Sequence, residues 1–304
     1  MARRQIQTGD EAADWGTALR PGGGQPVLKE LRVAVIGAGH LAEALVRGWR
    51  QSGMPGAHIR VTNRSRFERL DRLAEQYGTE PCKTKAQALP GAEVVVLAVR
   101  PGDVEEALLE LRPVWPEGAV LVSPVAGVSV RRLRDGLGPA LGERVLIARA
   151  MPNTSCAVGE SATGLFGPDL PRTARERVEA LLRCVGSVTH MESERDMDTV
   201  TALAGSGPAY VYLMVEGLVQ GAVSEGMAPE TALDLAVQMV YGAASHLRDS
   251  AEDPGELRER VTSPGGTTQA ALETLEEHGF RPALKAAVAR AAARSRELGR
   301  VIGD

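Results

Sequence analysis

Apolar positions follow two rhythms along this chain, and the rhythm changes near Glu192. Upstream, short aliphatic and β-branched runs alternate with stretches at helical spacing. Arg32–Ile36, His58–Thr62, Val94–Val99, Ala119–Val122 and Val145–Ala150 read as strands. Further strands are expected near Ala162–Leu165 and Ser187–His190. Val94–Val99 has no polar position, as expected of a parallel strand covered on both faces. Helices are predicted through Leu45, Val46 and Trp49, over Phe67–Tyr77, over Val104–Leu111 and over Pro171–Leu182. Strand-helix alternation of this kind specifies an α/β sheet domain.

Beyond Glu192 no convincing strand is found. Met197, Val200 and Leu203 have helical spacing, and Gly205-Ser206-Gly207-Pro208-Ala209-Tyr210 is expected to interrupt the helix. Long helices are then predicted over Val211–Ser224, from Pro229 through Ala244, over Thr267–His278 and over Pro282–Gly299. Several carry apolar or small residues around most of their circumference. About one hundred residues rarely bury that much surface alone, so a homodimer through these helices is expected. Residues 1–30 mix charges with a Pro21-Gly22-Gly23-Gly24 break and read as a disordered extension. No apolar core follows Arg3-Arg4, so no secretory signal is expected.

Composition narrows the function. Aromatics make up only 3% of residues, the net charge is −4 and the basic residues are scattered, which speaks against nucleic acid or an anionic membrane as partner. Apolar runs such as Val94–Val99 fall far short of a membrane span. Cys82, Cys156 and Cys184 have no metal or redox spacing, which fits a reducing, cytoplasmic setting. The five histidines are isolated, so no metal site is expected.

Two glycine corners carry the candidate chemistry. Gly37-Ala38-Gly39-His40-Leu41-Ala42 joins the first strand to a helix, the context in which such a turn binds a dinucleotide pyrophosphate. A purely structural turn uses the same residues. The second strand ends in Asn63-Arg64-Ser65, where NAD-selective sites usually carry an acid. A guanidinium beside a hydroxyl suits a 2′-phosphate, which favours NADPH and leaves NADH at lower preference; the alternative is a solvated surface arginine. The loops Ala98-Val99-Arg100-Pro101 and Val125-Ala126-Gly127 follow later strands and are candidate walls for the nicotinamide side of the cofactor, and Asn153, after the next strand, is a further candidate cofactor contact. The other corner is Ser263-Pro264-Gly265-Gly266-Thr267-Thr268 at a helix start. Free first-turn amides and the helix dipole make it a cradle for a small anion such as a carboxylate. A tight turn with a threonine cap is the plain alternative.

Taken together, these motifs resemble the Δ1-pyrroline-5-carboxylate reductase family. The similarity runs from about Leu31 to Leu298. It rests on Ile36–Ala42, Ala98–Pro101, Ala126–Ser129, Met151–Thr154, Gly205–Tyr210 and Val261–Thr268, in that order. The resemblance implies a Rossmann-like NADP-binding domain over residues 31–192 and an all-α C-terminal dimerisation domain over 193–304. It implies homodimers, and rings of dimers are permitted. The reaction implied is NADPH-dependent reduction of the cyclic imine to L-proline. The Ser263–Thr268 loop, including Gly265, would hold the substrate carboxylate through Gly266 and Thr267 amides. Thr268 would hydrogen-bond the ring nitrogen and so serve catalysis. His40-Leu41, Pro124-Val125, Lys83 and Lys85 depart from the common family pattern. Two other readings share the layout. One is a related imine or β-hydroxyacid reductase, although Met197–Ser224 lacks the lysine that the hydroxyacid chemistry needs. The other is a non-catalytic NADP-binding sensor.

Overall fold

The structure, a computed structural model, describes residues 26–301. The expected disorder of residues 1–25 lies outside them. In chain order the sheet half contains α1 (Pro26–Glu30), β1 (Val33–Ile36), α2 (His40–Gln51), β2 (Ile59–Thr62), α3 (Phe67–Tyr77), β3 (Glu80–Cys82), α4 (Lys85–Ala88) and β4 (Val94–Leu97). It continues with α5 (Val104–Leu111), β5 (Val120–Ser123), α6 (Val130–Leu137), α7 (Pro139–Gly142), β6 (Leu146–Met151), β7 (Ser161–Phe166), α8 (Arg172–Arg183) and β8 (Gly186–His190). All described elements after His190 are helical: α9 (Asp196–Val200), α10 (Gly207–Ser224), α11 (Pro229–Asp249), α12 (Pro254–Arg260), α13 (Thr267–Glu277) and α14 (Phe280–Val301).

One eight-stranded sheet has the order β3-β2-β1-β4-β5-β6-β7-β8. Chain order reverses between β1 and β4, and that switch point opens a crevice at the carboxyl ends of the strands. The register makes this edge flush, because Ile36 lies opposite both Thr62 and Leu97. β7 runs antiparallel to β6, unlike the strands before it. The link between them is a short 3-10 turn, Thr154–Val158, and a parallel crossover needs a longer connection.

Alternation along the strands builds two cores. Val33, Val35, Val94, Val96, Val120 and Val122 face α2 and α8. Ala34, Ile36, Val95, Leu97, Leu121 and Ile147 face α5 and α6. Trp49 Nε1 donates to the Leu181 carbonyl at 2.9 Å, which ties α2 to α8 inside the first core. α2 passes close to the turn after α8, since a Cβ on Gly48 would sit 2.2 Å from Val185 Cγ1.

Several elements depart from the pattern reading. Residues 26–30 belong to the fold and not to an extension, because Leu28 is buried in the first core. β3 is short, holds Pro81 and buries only Cys82 among its three residues, so it left no alternating pattern. α4 and α12 are short helices fixed by capping boxes, Thr84 with Gln87 and Asp253 with Glu256. α6 did have a signal, in Val130, Leu133 and Leu137. The glycines after Leu203 widen the helix instead of breaking it. Thr201–Gly205 is a π turn, and the helix resumes at Gly207. Asp196–Ser224 is therefore one 29-residue helical stretch, long and apolar enough by length and composition to cross a membrane. Glycines hide it from a search for unbroken apolar runs.

The helical half leaves much apolar surface open. α10 has no buried residue, and Leu213, Tyr241 and Leu203 are more than 60% exposed. The sheet half, in contrast, begins with a buried anchor. Leu28→Ala is expected to lower unfolding free energy by about 2–4 kcal/mol, as a buried leucine does. Urea denaturation at fixed protein concentration measures it; a change within about 0.5 kcal/mol would return Leu28 to a surface segment.

Candidate active site

The glycine turn stands where β1, β2 and β4 end together. Gly37 has φ +111° and donates its N–H to the Thr62 carbonyl at 2.8 Å. A Cβ there would sit 2.2 Å from the Ala98 carbonyl oxygen, so only glycine lets the turn meet the β4 exit. Gly39 is the N-cap of α2, with open space where a Cβ would be and no side chain capping the helix. The first helical bond runs from Glu43 N–H to the Gly39 carbonyl at 3.0 Å. The amides of His40, Leu41 and Ala42 thus have no acceptor among the described residues, a ready seat for a phosphate. Ala42 is fully buried against the sheet, His40 is exposed and Leu41 packs on the first core.

Around this turn the expected loops converge. Ala98 is joined to it by the contact at Gly37, and Val99 packs partly into the second core. Arg100 precedes the 3-10 turn that Pro101 begins. Asn63 is half-buried, while Arg64 and Ser65 are exposed. Arg64 is engaged by Glu106 at the start of α5, with Asp103 3.9 Å away. Arg69 was not singled out in the sequence, yet its Nη1 donates to the Ala38 carbonyl at 3.2 Å and brings a guanidinium to the glycine turn. Its only sequence signal was its place one turn into α3.

Two sequence-named residues take different roles from those expected. Val125 is buried in the second core, so its side chain faces away from the cleft and only its backbone is available to a cofactor. Ala126 is half-buried, and Gly127 has φ +74°. Asn153 is buried and held by protein on both sides of its amide. Its Oδ1 accepts from Ser155 N–H at 3.0 Å, and its Nδ2 donates to the Ala204 carbonyl at 3.0 Å. That carbonyl lies in the π turn, where helical bonding is shifted; the Tyr210 hydroxyl caps the Ala202 carbonyl beside it at 3.1 Å.

The second corner is an uncapped helix start of the same kind. Gly265 has φ +71°, and Gly266 is the N-cap of α13 without a side-chain cap. Neither Thr267 nor Thr268 caps the helix, which removes the plain threonine-cap reading. The donors shift by one residue from expectation. Gly266 N–H is taken by the Ser263 carbonyl at 3.0 Å and Gly265 N–H by Gln269 Oε1 at 2.7 Å. The amides left without an acceptor among the described residues are those of Thr267, Thr268 and Gln269. Ser263 is exposed and Thr268 half-buried beside them.

The cysteines stay apart from this chemistry. Burial pushes the thiols of Cys82, Cys156 and Cys184 up from their ordinary range. Among the described residues no cluster of three or more His, Cys, Asp or Glu could hold a metal ion.

Comparison with known proteins assigns both halves. Residues 194–298 match the family model for pyrroline-5-carboxylate reductase dimerisation, and residues 32–127 match that for NADP oxidoreductase, coenzyme F420-dependent. The membrane-length stretch at Asp196–Ser224 falls entirely within the dimerisation match. The pyrroline-5-carboxylate reductase of Corynebacterium melassecola is 39% identical over 272 residues, 88% of this chain and 98% of that one. Pyrroline-5-carboxylate reductase 2 of Bacillus subtilis is 37% identical over 269 residues, 88% of this chain and 95% of that one. The structure of a pyrroline-5-carboxylate reductase from Coxiella burnetii superposes with a TM-score of 0.81 at 36% identity, covering 88% of this chain and 98% of that chain. With an uncapped glycine corner on each half and relatives matched over nearly their whole length, the chain belongs to the pyrroline-5-carboxylate reductase family.

Proposed function

We propose that this protein reduces Δ1-pyrroline-5-carboxylate to L-proline with NADPH, the closing step of proline synthesis. The observation that carries the reading is the pair of helix starts at Gly39 and Gly266, each led by glycine and each with its first amides free. Two separate anion seats suit a reaction that joins a pyrophosphate-bearing cofactor to a carboxylate-bearing ring.

The residues present fit the cofactor. Open space at Gly39 and the free amides of His40, Leu41 and Ala42 accept a pyrophosphate. Arg64, with Asn63 and Ser65, holds the 2′-phosphate, so NADPH is preferred and NADH serves less well. Ala38, Ala98 to Pro101 and the backbone of Val125 to Gly127 line the cleft. The bound nicotinamide supplies the hydride that converts the C=N carbon to CH.

At the second corner, Thr267 and Thr268 amides fix the substrate carboxylate, and Ser263 adds a hydroxyl. The flexible backbone of Gly265 and Gly266 lets the carboxylate come close. The Thr268 hydroxyl orients the ring nitrogen and meets the amine as it forms. A protonated imine is already electrophilic, so orientation supplies most of the acceleration. The open apolar helices bury against a second copy in a homodimer, and rings of dimers extend the same reading. We place the protein in the cytoplasm, in keeping with its thiols.

The decisive assay is loss of NADPH absorbance with Δ1-pyrroline-5-carboxylate, against a six-membered imine acid and a hydroxyacid pair as competitors; activity confined to the hydroxyacid pair would overturn the assignment. Arg64→Ala is expected to raise the KM for NADPH about tenfold or more while barely changing that for NADH, the size of one lost charge-assisted contact. Equal behaviour of both cofactors would remove Arg64 from the 2′-phosphate. Thr268→Ala should lower kcat about tenfold to a hundredfold with NADPH affinity kept, since it touches substrate alone; unchanged turnover excludes it from catalysis. Sedimentation at micromolar concentration should give a dimer or a multiple of it, and a monomer would remove the helical interface.

A further inference from the structure

We infer that the ion pair between buried Arg149 and half-buried Glu194 positions the β5–α6 loop for hydride transfer, so that both are positioning residues for the reaction. The inference rests on the cofactor reading above, in which Val125 to Gly127 wall the nicotinamide side of the cleft.

Arg149 stands on β6 with only 5% of its side chain exposed. Its Nη1 donates to Glu194 Oε1 at 3.0 Å. The same Glu194 oxygen accepts the Val130 N–H at 2.7 Å. Val130 is the first residue of α6, so a carboxylate from the threshold of the helical half caps a helix of the sheet half. The usual local cap is also present, because Ser129 Oγ accepts from Arg132 N–H at 3.1 Å. The carboxylate therefore adds a long-range tie to a helix start that already has a cap.

The pair fastens both ends of one loop. Arg149 lies in register beside Ser123, the last residue of β5. Residues 124–129 leave that point and return at Val130, which Glu194 holds. A second contact fixes the middle. At Gly127 a Cβ would sit 2.8 Å from Gly299 N and 2.9 Å from the Ser295 carbonyl oxygen, so α14 presses on the loop. Ser295 is buried and its hydroxyl donates to Asp198 Oδ1 at 2.6 Å, joining α14 to α9. The loop is thus held from the helical half at two points and from β6 at a third.

Stability alone explains this pair poorly. Burying a guanidinium loses hydration that its attraction to a half-buried carboxylate often fails to return, and apolar replacements of similar volume are frequently as stable. Here the cost is greater, because Arg149 Nη2 is buried without an acceptor among the described residues. What the pair does supply is a fixed direction and length between three elements. Transfer of a hydride is sensitive to misplacement of about 1 Å, which can cost about a hundredfold in rate.

The test uses full-length protein carrying R149M and E194Q together, which removes both charges, keeps volume and leaves an amide oxygen for the Val130 N–H. Melting temperature, kcat, both KM values and the primary deuterium isotope effect with deuterated NADPH are read side by side. The expected result is a melting temperature within a few degrees of the parent, KM for NADPH within about twofold, kcat lower by about tenfold or more and a larger isotope effect on kcat. R149K alone should keep more of the rate than the double variant. Unchanged kcat and isotope effect in the folded double variant would overturn the inference, as would a raised KM for NADPH at full kcat. Should the double variant not fold, R149K decides by the same readouts. Failure of the parent protein to turn over imine and NADPH would sink the functional reading itself, whereas an active parent with indifferent variants sinks only the positioning role.

Discussion

A helix that begins on glycine without a side-chain cap gives up about a few tenths of a kcal/mol that serine, threonine or aspartate would provide. This chain makes that choice at α2 and at α13, while α4, α6 and α12 are capped by Thr84, Ser129 and Asp253. Other described helices, among them α3, α5, α8 and α11, also start without a side-chain cap, so what marks α2 and α13 is the glycine corner and its free amides together. At α2 and α13 the first amides stay free, and Gly39 and Gly265 leave open space at these corners, an arrangement suited to an anion. The rest of the structure serves to bring those two ends into use.

For α2 the service is done by the sheet. Its amides are useful only if the turn before it lies at the strand ends, and the flush pairing of Ile36 with Thr62 and Leu97 puts it there. Gly37 is the tightest point, with the Ala98 carbonyl occupying the space of its missing side chain. Two apolar layers, one on each side of the sheet, make that edge rigid. For α13 no such frame exists. The hydrogen bonds at its corner close on themselves through Ser263 and Gln269. The corner keeps its shape locally and depends on the helical half, and on what that half packs against, for its placement.

Legibility in the sequence followed the same division. Fully buried strands such as Val94–Leu97 and two-faced helices such as Phe67–Tyr77 were plain, because burial on a sheet imposes period and composition together. Both glycine corners were plain too, since only glycine tolerates the dihedrals they need. The edge strand β3 was not, as a three-residue strand with a proline has no room for a pattern. The π turn was misread as a break. Glycine and serine at 205–207 carry the same local signal in either case, and the difference lies in carbonyls captured by Tyr210 two turns on and by Asn153 from far along the chain. For the same reason Asn153 was named for the cofactor when its amide is spent on the helix, and the donors at Thr267 and Thr268 were placed one residue early.

Long-range polar contacts of this sort share a location. Asn153 to the π turn and Arg149 to Glu194 cross from sheet to helices, and Ser295 to Asp198 ties α14 to α9 just behind that seam. An apolar seam there would hold the halves together while tolerating small slides, because hydrophobic contact has no direction. Hydrogen bonds with fixed partners do not tolerate such slides. On the proposed function, with cofactor and substrate anchored on different halves, that intolerance at the seam matters more than adhesion. The polar junction is consequently the part of this fold in which geometry, not stability, sets the choice of residue.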